Sequence, residues 1–308
     1  MEKKILIAVD GSSASMQALG YVAMMEAAVI VDLSVTLLHL AQTIPEALRQ
    51  EMELRPDSFL RLQELQARHR EQGQRILERA RQRLLDLGVE DGRIELKLRT
   101  RQMGLARDIL FEGEHGLYDA VVLGRRGLTK VEEMFMGSVT NKVVQHAERL
   151  PVWVVGGAVN SCRILIAVDS SPGSLKAVDH LAYMLSGNRE CKVTLFHAGP
   201  GPWSEAAGAG AGDEAPPSST PDDLKRLAGF FERARADLKD AGLADGQISL
   251  VTREKAGSVW RAILEEVRRG GYGTVVLGRR GEGRSFWLGH ISDKIVARCA
   301  EAAVWIVG

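Results

Sequence analysis

The sequence predicts an α/β protein of two tandem doubly wound domains, each a five-stranded parallel sheet flanked by helices. Three observations predict it. Short β-branched apolar runs alternate with helix-period stretches along the chain. The second half repeats the first half in order. In each half one apolar strand also ends in a glycine-bearing loop that leads into a helix.

The repeat is explicit. Ile5-Leu-Ile-Ala-Val-Asp10 returns letter for letter as Ile164-Leu-Ile-Ala-Val-Asp169, and Val35-Thr-Leu-Leu-His39 returns as Val193-Thr-Leu-Phe-His197. Val121-Val-Leu-Gly-Arg-Arg-Gly127 returns as Val275-Val-Leu-Gly-Arg-Arg-Gly281, and Val152-Trp-Val-Val155 as Val304-Trp-Ile-Val307. A chain of 308 residues suits two domains of about 150. The expected units are 1–157 and 161–308, joined near Gly156 to Ser161.

In the first half, Ile5 to Val9 is a continuous apolar run, as a strand buried on both faces requires. Ser12 and Ser13 are suited to cap a helix through Ala28. Ser34 to Leu40 is the second strand. Asp57 to Leu87 is a long charged amphipathic helix that Gly88 stops. Ile94 to Leu98 alternates as a third strand, and Leu105 to Glu114 is the third helix. Ala120 to Leu123, Ser138 to Arg149 and Val152 to Val155 complete the domain as strand, helix and strand. The halves diverge after strand two: Ala206 to Pro221, rich in Gly, Ala, Pro and Ser, is expected to be a flexible loop.

The chemistry is expected after the fourth strand. Gly124 and Gly127 stand three apart, and Gly137 and Ser138 follow after nine intervening residues. Glycine lets backbone N–H groups approach a ligand closely, and successive N–H groups form an anion nest. Ser138 falls where a helix N-terminus offers free N–H groups, and Arg125 and Arg126 add charge beside it. That pattern suits a phosphate cradle. The plainer alternative makes Gly124 and Gly127 turn residues and Ser138 an N-cap.

Composition removes several function classes. Acids and bases balance at 40 each, so no bulk charge attracts nucleic acid or an anionic membrane. No apolar run reaches the roughly 18 residues of a membrane span. Met1-Glu-Lys-Lys-Ile5 leads straight into a strand without a signal-peptide core, so a cytoplasmic setting is expected. Cys162, Cys191 and Cys299 are too few and too scattered for a disulfide framework or zinc site.

Taken together, these residues resemble the universal stress proteins. The resemblance covers nearly the whole chain twice. Its carrying feature is Gly-x2-Gly-x9-Gly-Ser, matched without a gap by Gly124, Gly127, Gly137 and Ser138. Ala-Val-Asp-Gly-Ser after strand one, Leu-Leu-His-Leu at strand two and the final Val-Trp-Val-Val add to it. The resemblance implies ATP, with or without Mg2+, at the carboxyl ends of the strands. It places Asp10 near adenine or ribose, Leu40 in the adenine pocket, and Gly124, Gly127, Gly137 and Ser138 around ribose and phosphates. From the residues alone, Asp10 is equally an Asx cap and Leu40 plain core. His39 and His197 are read as packed, hydrogen-bonded strand residues. The resemblance also implies that the two fifth strands meet across a two-fold axis, here inside one chain as a pseudo-dimer. Further pairing of chains and the identity of protein partners stay open.

The second half departs from the pattern. Asp169, Gly278 and Gly281 are kept, but only seven residues, Glu282 to Leu288, precede Gly289, and His290 replaces the serine. Nucleotide binding is expected to be weaker there. Three functions suit this sequence: a nucleotide-regulated binding protein, a slow ATPase or phosphoryl-transfer enzyme, and a nucleotide-free dimerising scaffold. The loop Gly-x4-Gly-Lys-Ser/Thr and the elbow Gly-x-Ser-x-Gly are both missing. Within the motif the only carboxylates are Glu132 and Glu133, read as a solvated pair. The binding protein is the preferred reading, and no catalytic residue is assigned.

Overall fold

The computed structural model describes residues 2–44, 58–125, 137–188, 190–200, 221–256, 258–279 and 289–308. Gly127, Gly281, Arg126, Arg280, Glu132, Glu133, Glu282 to Leu288 and all but the last residue of the Ala206 to Pro221 stretch lie outside these residues.

The first half runs β1 (Lys3–Ala8), α1 (Ser13–Ala28), β2 (Leu33–Ala41), α2 (Ser58–Asp86), β3 (Ile94–Thr100), α3 (Leu105–His115), β4 (Ala120–Gly124), α4 (Ser138–His146) and β5 (Val152–Val155). The second half repeats it as β6 (Ile164–Ala167), α5 (Pro172–Leu185), β7 (Val193–Pro200), α6 (Pro221–Asp240), β8 (Ile248–Ala256), α7 (Val259–Gly270), β9 (Thr274–Gly278), α8 (His290–Arg298) and β10 (Ala303–Val307). The helix expected from Ser138 to Arg149 is shorter than that. It ends at His146 because the chain must leave helical geometry to enter Leu150-Pro151 and β5.

The strands form one sheet in the order β3-β2-β1-β4-β5-β10-β9-β6-β7-β8. Pairing is parallel within each half and antiparallel at the central β5–β10 seam. Strand alternation sorts the apolar side chains into two layers. Ile5 and Ile7 enter the layer under α1 and α2, while Leu6 enters the layer under α3 and α4. Both layers continue through the second half, so the apolar core crosses the seam.

Each half is doubly wound about a switch point. β1 pairs with β2 on one side and β4 on the other, and β6 likewise with β7 and β9. At such a point the loops after the two central strands diverge and leave a crevice at their carboxyl ends.

The seam is held by more than strand pairing. Val304, Trp305 and Ile306 register with Val154, Trp153 and Val152. Lys3 is buried, and its Nζ donates to the carbonyls of Val31 at 2.9 Å and Ser186 at 3.2 Å, one from each half. Asn188 Nδ2 donates to Ala28 O at 3.1 Å and Val29 O at 2.8 Å. These bonds satisfy buried polar groups that would otherwise oppose docking of the halves. The result is the intramolecular pseudo-dimer.

Candidate functional site

The turn after β1 positions the first candidate residue. Gly11 has φ +80, a conformation that glycine adopts without steric cost, and it lets the chain reverse from strand into α1. Ser12 is the N-cap of α1, its hydroxyl accepting from Ser15 N at 3.3 Å. Asp10 accepts from Ser12 N at 2.9 Å through Oδ1. Burial alone would raise the Asp10 carboxyl. Hydrogen bonds from the Ser12 hydroxyl and amide and from the Ser15 hydroxyl outweigh it and hold the pKa below the usual carboxylate value. Asp10 is therefore an exposed, ionised acceptor at neutral pH, and it is also the Asx cap that its sequence context suggests.

The end of β4 comes next. A Cβ on Gly124 would penetrate the backbone of Ala14 and Ser15. Gly124 is thus needed for α1 to lie directly against β4, and the same holds for Gly278 against Gly173 and Ser174. Neither glycine is at positive φ. Across the cleft, α4 begins with Gly137 as N-cap at φ −56 and Ser138 as its first helical residue, so Ser138 is not the cap. Thr140 Oγ1 donates to Gly124 O at 3.2 Å and ties the helix to the strand end. The amides of Ser138, Val139 and Thr140 have no intrahelical acceptor, as at any helix start.

These parts enclose a cleft of about 300 Å³ at the β1/β4 switch point. Asp10, Leu40, Gly124, Gly137 and Ser138 all line it. Its apolar wall is Leu38, Leu40, Leu105, Ile109 and Leu123, and its polar end is Asp10, Ser12, Ser15, Ser138 and Thr140. Sequence reasoning missed Leu105 and Ile109, whose i, i+4 spacing at the start of α3 puts both on one helix face. Ser15 and Thr140 were missed too, because short polar residues in the first turn of a helix look like ordinary caps. His39 lines the cleft, and its Nδ1 is 2.8 Å from Val9 O; His197 repeats this with Val168 O at 2.8 Å. Both histidines brace the β1 and β6 exits, which is the structural role read for them.

Arg125 was expected beside the phosphates, and here the structure corrects the sequence. Its guanidinium turns away from the cleft, is buried, and donates to Cys299 O at 2.8 Å and to Ala297 O in the other half. The cause is the seam: antiparallel β5–β10 pairing brings the carbonyl end of α8 next to the exit of β4. A buried guanidinium must be hydrogen-bonded, and free helix-end carbonyls meet that need.

The equivalent cleft of the second half is smaller, about 80 Å³. Phe196 stands where Leu38 stands in the first, Ala198 in place of Leu40, and His290 in place of Ser138. Asp169, Gly278 and Gly289 line it. Asp169 Oδ1 accepts from Ser174 Oγ at 2.7 Å and from Ser171 N at 3.1 Å, the counterparts of the Ser15 and Ser12 bonds to Asp10. Among the described residues no group of three His, Cys, Asp or Glu side chains is arranged to hold a metal, and no helix is long and apolar enough to cross a membrane.

Comparison with known proteins agrees with this architecture. The model of the universal stress protein family matches residues 1–156 and again residues 162–308. The chain belongs to the universal stress protein family. Its two universal stress protein domains account for the repeated strand order and for the seam between them. The chain is similar to the universal stress protein YxiE of Bacillus subtilis, 26% identical over 155 residues, which is 50% of this chain and 99% of that protein. The whole two-domain fold is similar to the crystal structure of a universal stress protein from Archaeoglobus fulgidus DSM 4304, with a TM-score of 0.66 at 17% identity, covering 99% of this chain and 97% of that one. A functionally unknown protein from Pseudomonas aeruginosa PAO1 has the same fold, with a TM-score of 0.55 at 14% identity over 99% of this chain and 92% of its own.

Proposed function

We propose that the first domain binds one molecule of ATP and that the protein is a cytoplasmic regulator whose nucleotide occupancy sets its conformation or its partners. One observation supports this most: a single cleft joins an apolar wall, an ionised acceptor and a helix N-terminus. Leu38, Leu40, Leu105, Ile109 and Leu123 suit a purine ring, which gains by leaving water. Asp10 suits a ribose hydroxyl or the exocyclic amine as hydrogen-bond acceptor. The first amides of α4 and the Ser138 hydroxyl suit phosphate oxygens, which the helix dipole favours. Gly127 belongs to the same proposal through its place in the motif. A Mg2+ ion would arrive on the phosphates, with Asp10 as the cleft carboxylate able to meet it.

The second domain is proposed to bind nucleotide weakly. Its cleft is narrowed by Phe196, and a serine hydroxyl is replaced by His290. Asp169, Gly278 and Gly289 then serve the fold more than a ligand, and Gly281 belongs to this weaker site through its place in the motif.

The nucleotide is read as a ligand and not as a substrate. The polar groups that line the cleft bind ground-state phosphates, and uniform binding of this kind leaves the chemical barrier in place. Mass spectrometry of small molecules released on denaturing protein purified from cells tests the proposal. Adenine nucleotide at up to one equivalent per chain is expected. Protein that carries none, and takes up none from millimolar ATP, would overturn it.

A further inference from the structure

The arginine that follows β9 does its work in the other domain. Arg279 N donates to Val307 O at 2.6 Å, which anchors its backbone on β10. Its side chain then crosses the seam. Nη1 donates to Gln145 O at 3.0 Å, and Nη2 donates to Val144 O. These are last-turn carbonyls of α4, which have no intrahelical donor. Arg125 makes the reciprocal pair of bonds to Cys299 and Ala297 at the end of α8. Backbone contact at the same place supports the arrangement: a Cβ on Gly308 would penetrate Glu148 O, so the domains touch here without room for a side chain.

Helix α4 spans only nine residues. Its first turn, Gly137 to Thr140, lines the larger cleft, and its last turn is held by a residue of the second domain. A helix this short moves as one body, because hydrogen bonding is continuous from end to end. A cation at the carbonyl end also complements the dipole whose positive end faces the cleft. We infer that Arg279 is a positioning residue for the nucleotide cleft of the opposite domain, setting the height and tilt of α4 from behind. The second domain, with the smaller cleft of its own, thereby completes the site of the first. This rests on the reading of the first cleft as the nucleotide site.

The test uses the full chain. Arg279→Met keeps the aliphatic stem and removes the charge and donors; Arg279→Lys restores a cation. Asn188→Ala removes a different interdomain contact, to Ala28 and Val29, remote from α4. ATP affinity is measured by calorimetry, and backbone exchange of Val139 to Asn141 by hydrogen–deuterium exchange. Arg279→Met is expected to weaken ATP binding about fivefold or more, a typical coupling between sites, and to speed exchange in that segment. Arg279→Lys should recover part of both effects. Asn188→Ala should lower the melting temperature without changing ATP affinity. Unchanged affinity and unchanged exchange in Arg279→Met would overturn the inference. If the wild-type chain binds no ATP, the reading of the cleft fails and exchange alone decides: no change at Val139 to Asn141 then overturns the inference separately.

Discussion

Trp153 and Trp305 stack face to face across the β5–β10 seam, with ring centroids 3.8 Å apart and planes within 1° of parallel. Both are fully buried. Each indole donates to a residue on the first helix of the opposite domain. Trp305 Nε1 reaches Tyr21 OH at 2.8 Å, and Trp153 Nε1 reaches His180 Nε2 at 3.4 Å. Tyr21 and His180 occupy equivalent positions, each eleven residues after the aspartate that ends the first strand motif.

Removing one indole leaves a large void at the centre of the shared core. Trp153→Ala should destabilise the chain by about 3–5 kcal/mol, the usual cost of truncating a buried aromatic. Urea denaturation checks this. A loss under about 1 kcal/mol would mean that the seam is not where the halves are held together.

His180 makes stability pH-dependent. Burial against the indoles lowers its pKa from 6.5 to about 4, because the charged ring would be desolvated. The neutral ring is the form that can accept from Trp153. The contribution is fully present above the ordinary histidine pKa. It is lost as pH falls from 6.5 toward 4, where only the unfolded chain takes up the proton, and the loss levels off below that. It amounts to at most about 3 kcal/mol. His180→Tyr, which copies the Tyr21 arrangement, should flatten this part of the curve. Melting temperatures of both proteins at pH 7.5 and pH 5 would reveal it, and equal acid sensitivity would contradict the assignment.

The two domains differ at the turn before their first helices. Gly11 has φ +80, and its equivalent Ser170 has φ 60, a region that disfavours a residue with a Cβ. Ser170→Gly should therefore raise stability by about 0.5–1 kcal/mol despite the added freedom of the unfolded chain. Chemical denaturation with an unchanged or lower midpoint would show that Ser170 is held without strain.

Much of this fold was legible in the sequence. Ile5-Leu-Ile-Ala-Val-Asp10 and its copy at Ile164 announce buried parallel strands and a duplicated frame, since that pattern depends on local side-chain chemistry. The cleft positions of Asp10, Leu40 and Ser138 were legible for a similar reason: each sits at the end or start of a recognisable element. The destination of Arg125 was not. It depends on which carbonyls the seam brings beside β4, a relation between residues 174 positions apart. Gly124 was legible as a glycine that matters, but its reason was not. It makes room for the backbone of α1, a contact that depends on how the helix crosses the sheet.

That distinction separates two kinds of residue in one motif. Gly124→Ala should destabilise the fold by about 1–3 kcal/mol, as overpacking does, because the Ala14 backbone cannot yield. Ser138→Ala should leave stability within about 0.5 kcal/mol, as expected for an exposed side chain with no capping bond. Circular dichroism melts of the two variants check the pair, and equal losses would place both residues in the same role.

Isothermal calorimetry of the intact chain with ATP tests the central claim most directly. The account predicts one site per chain, set by the cleft between Asp10 and the start of α4. It predicts that binding is lost in Gly137→Val while the melting temperature of that variant stays within a few degrees of wild type. No measurable binding at millimolar ATP, or two equal sites per chain that Gly137→Val leaves intact, would contradict it.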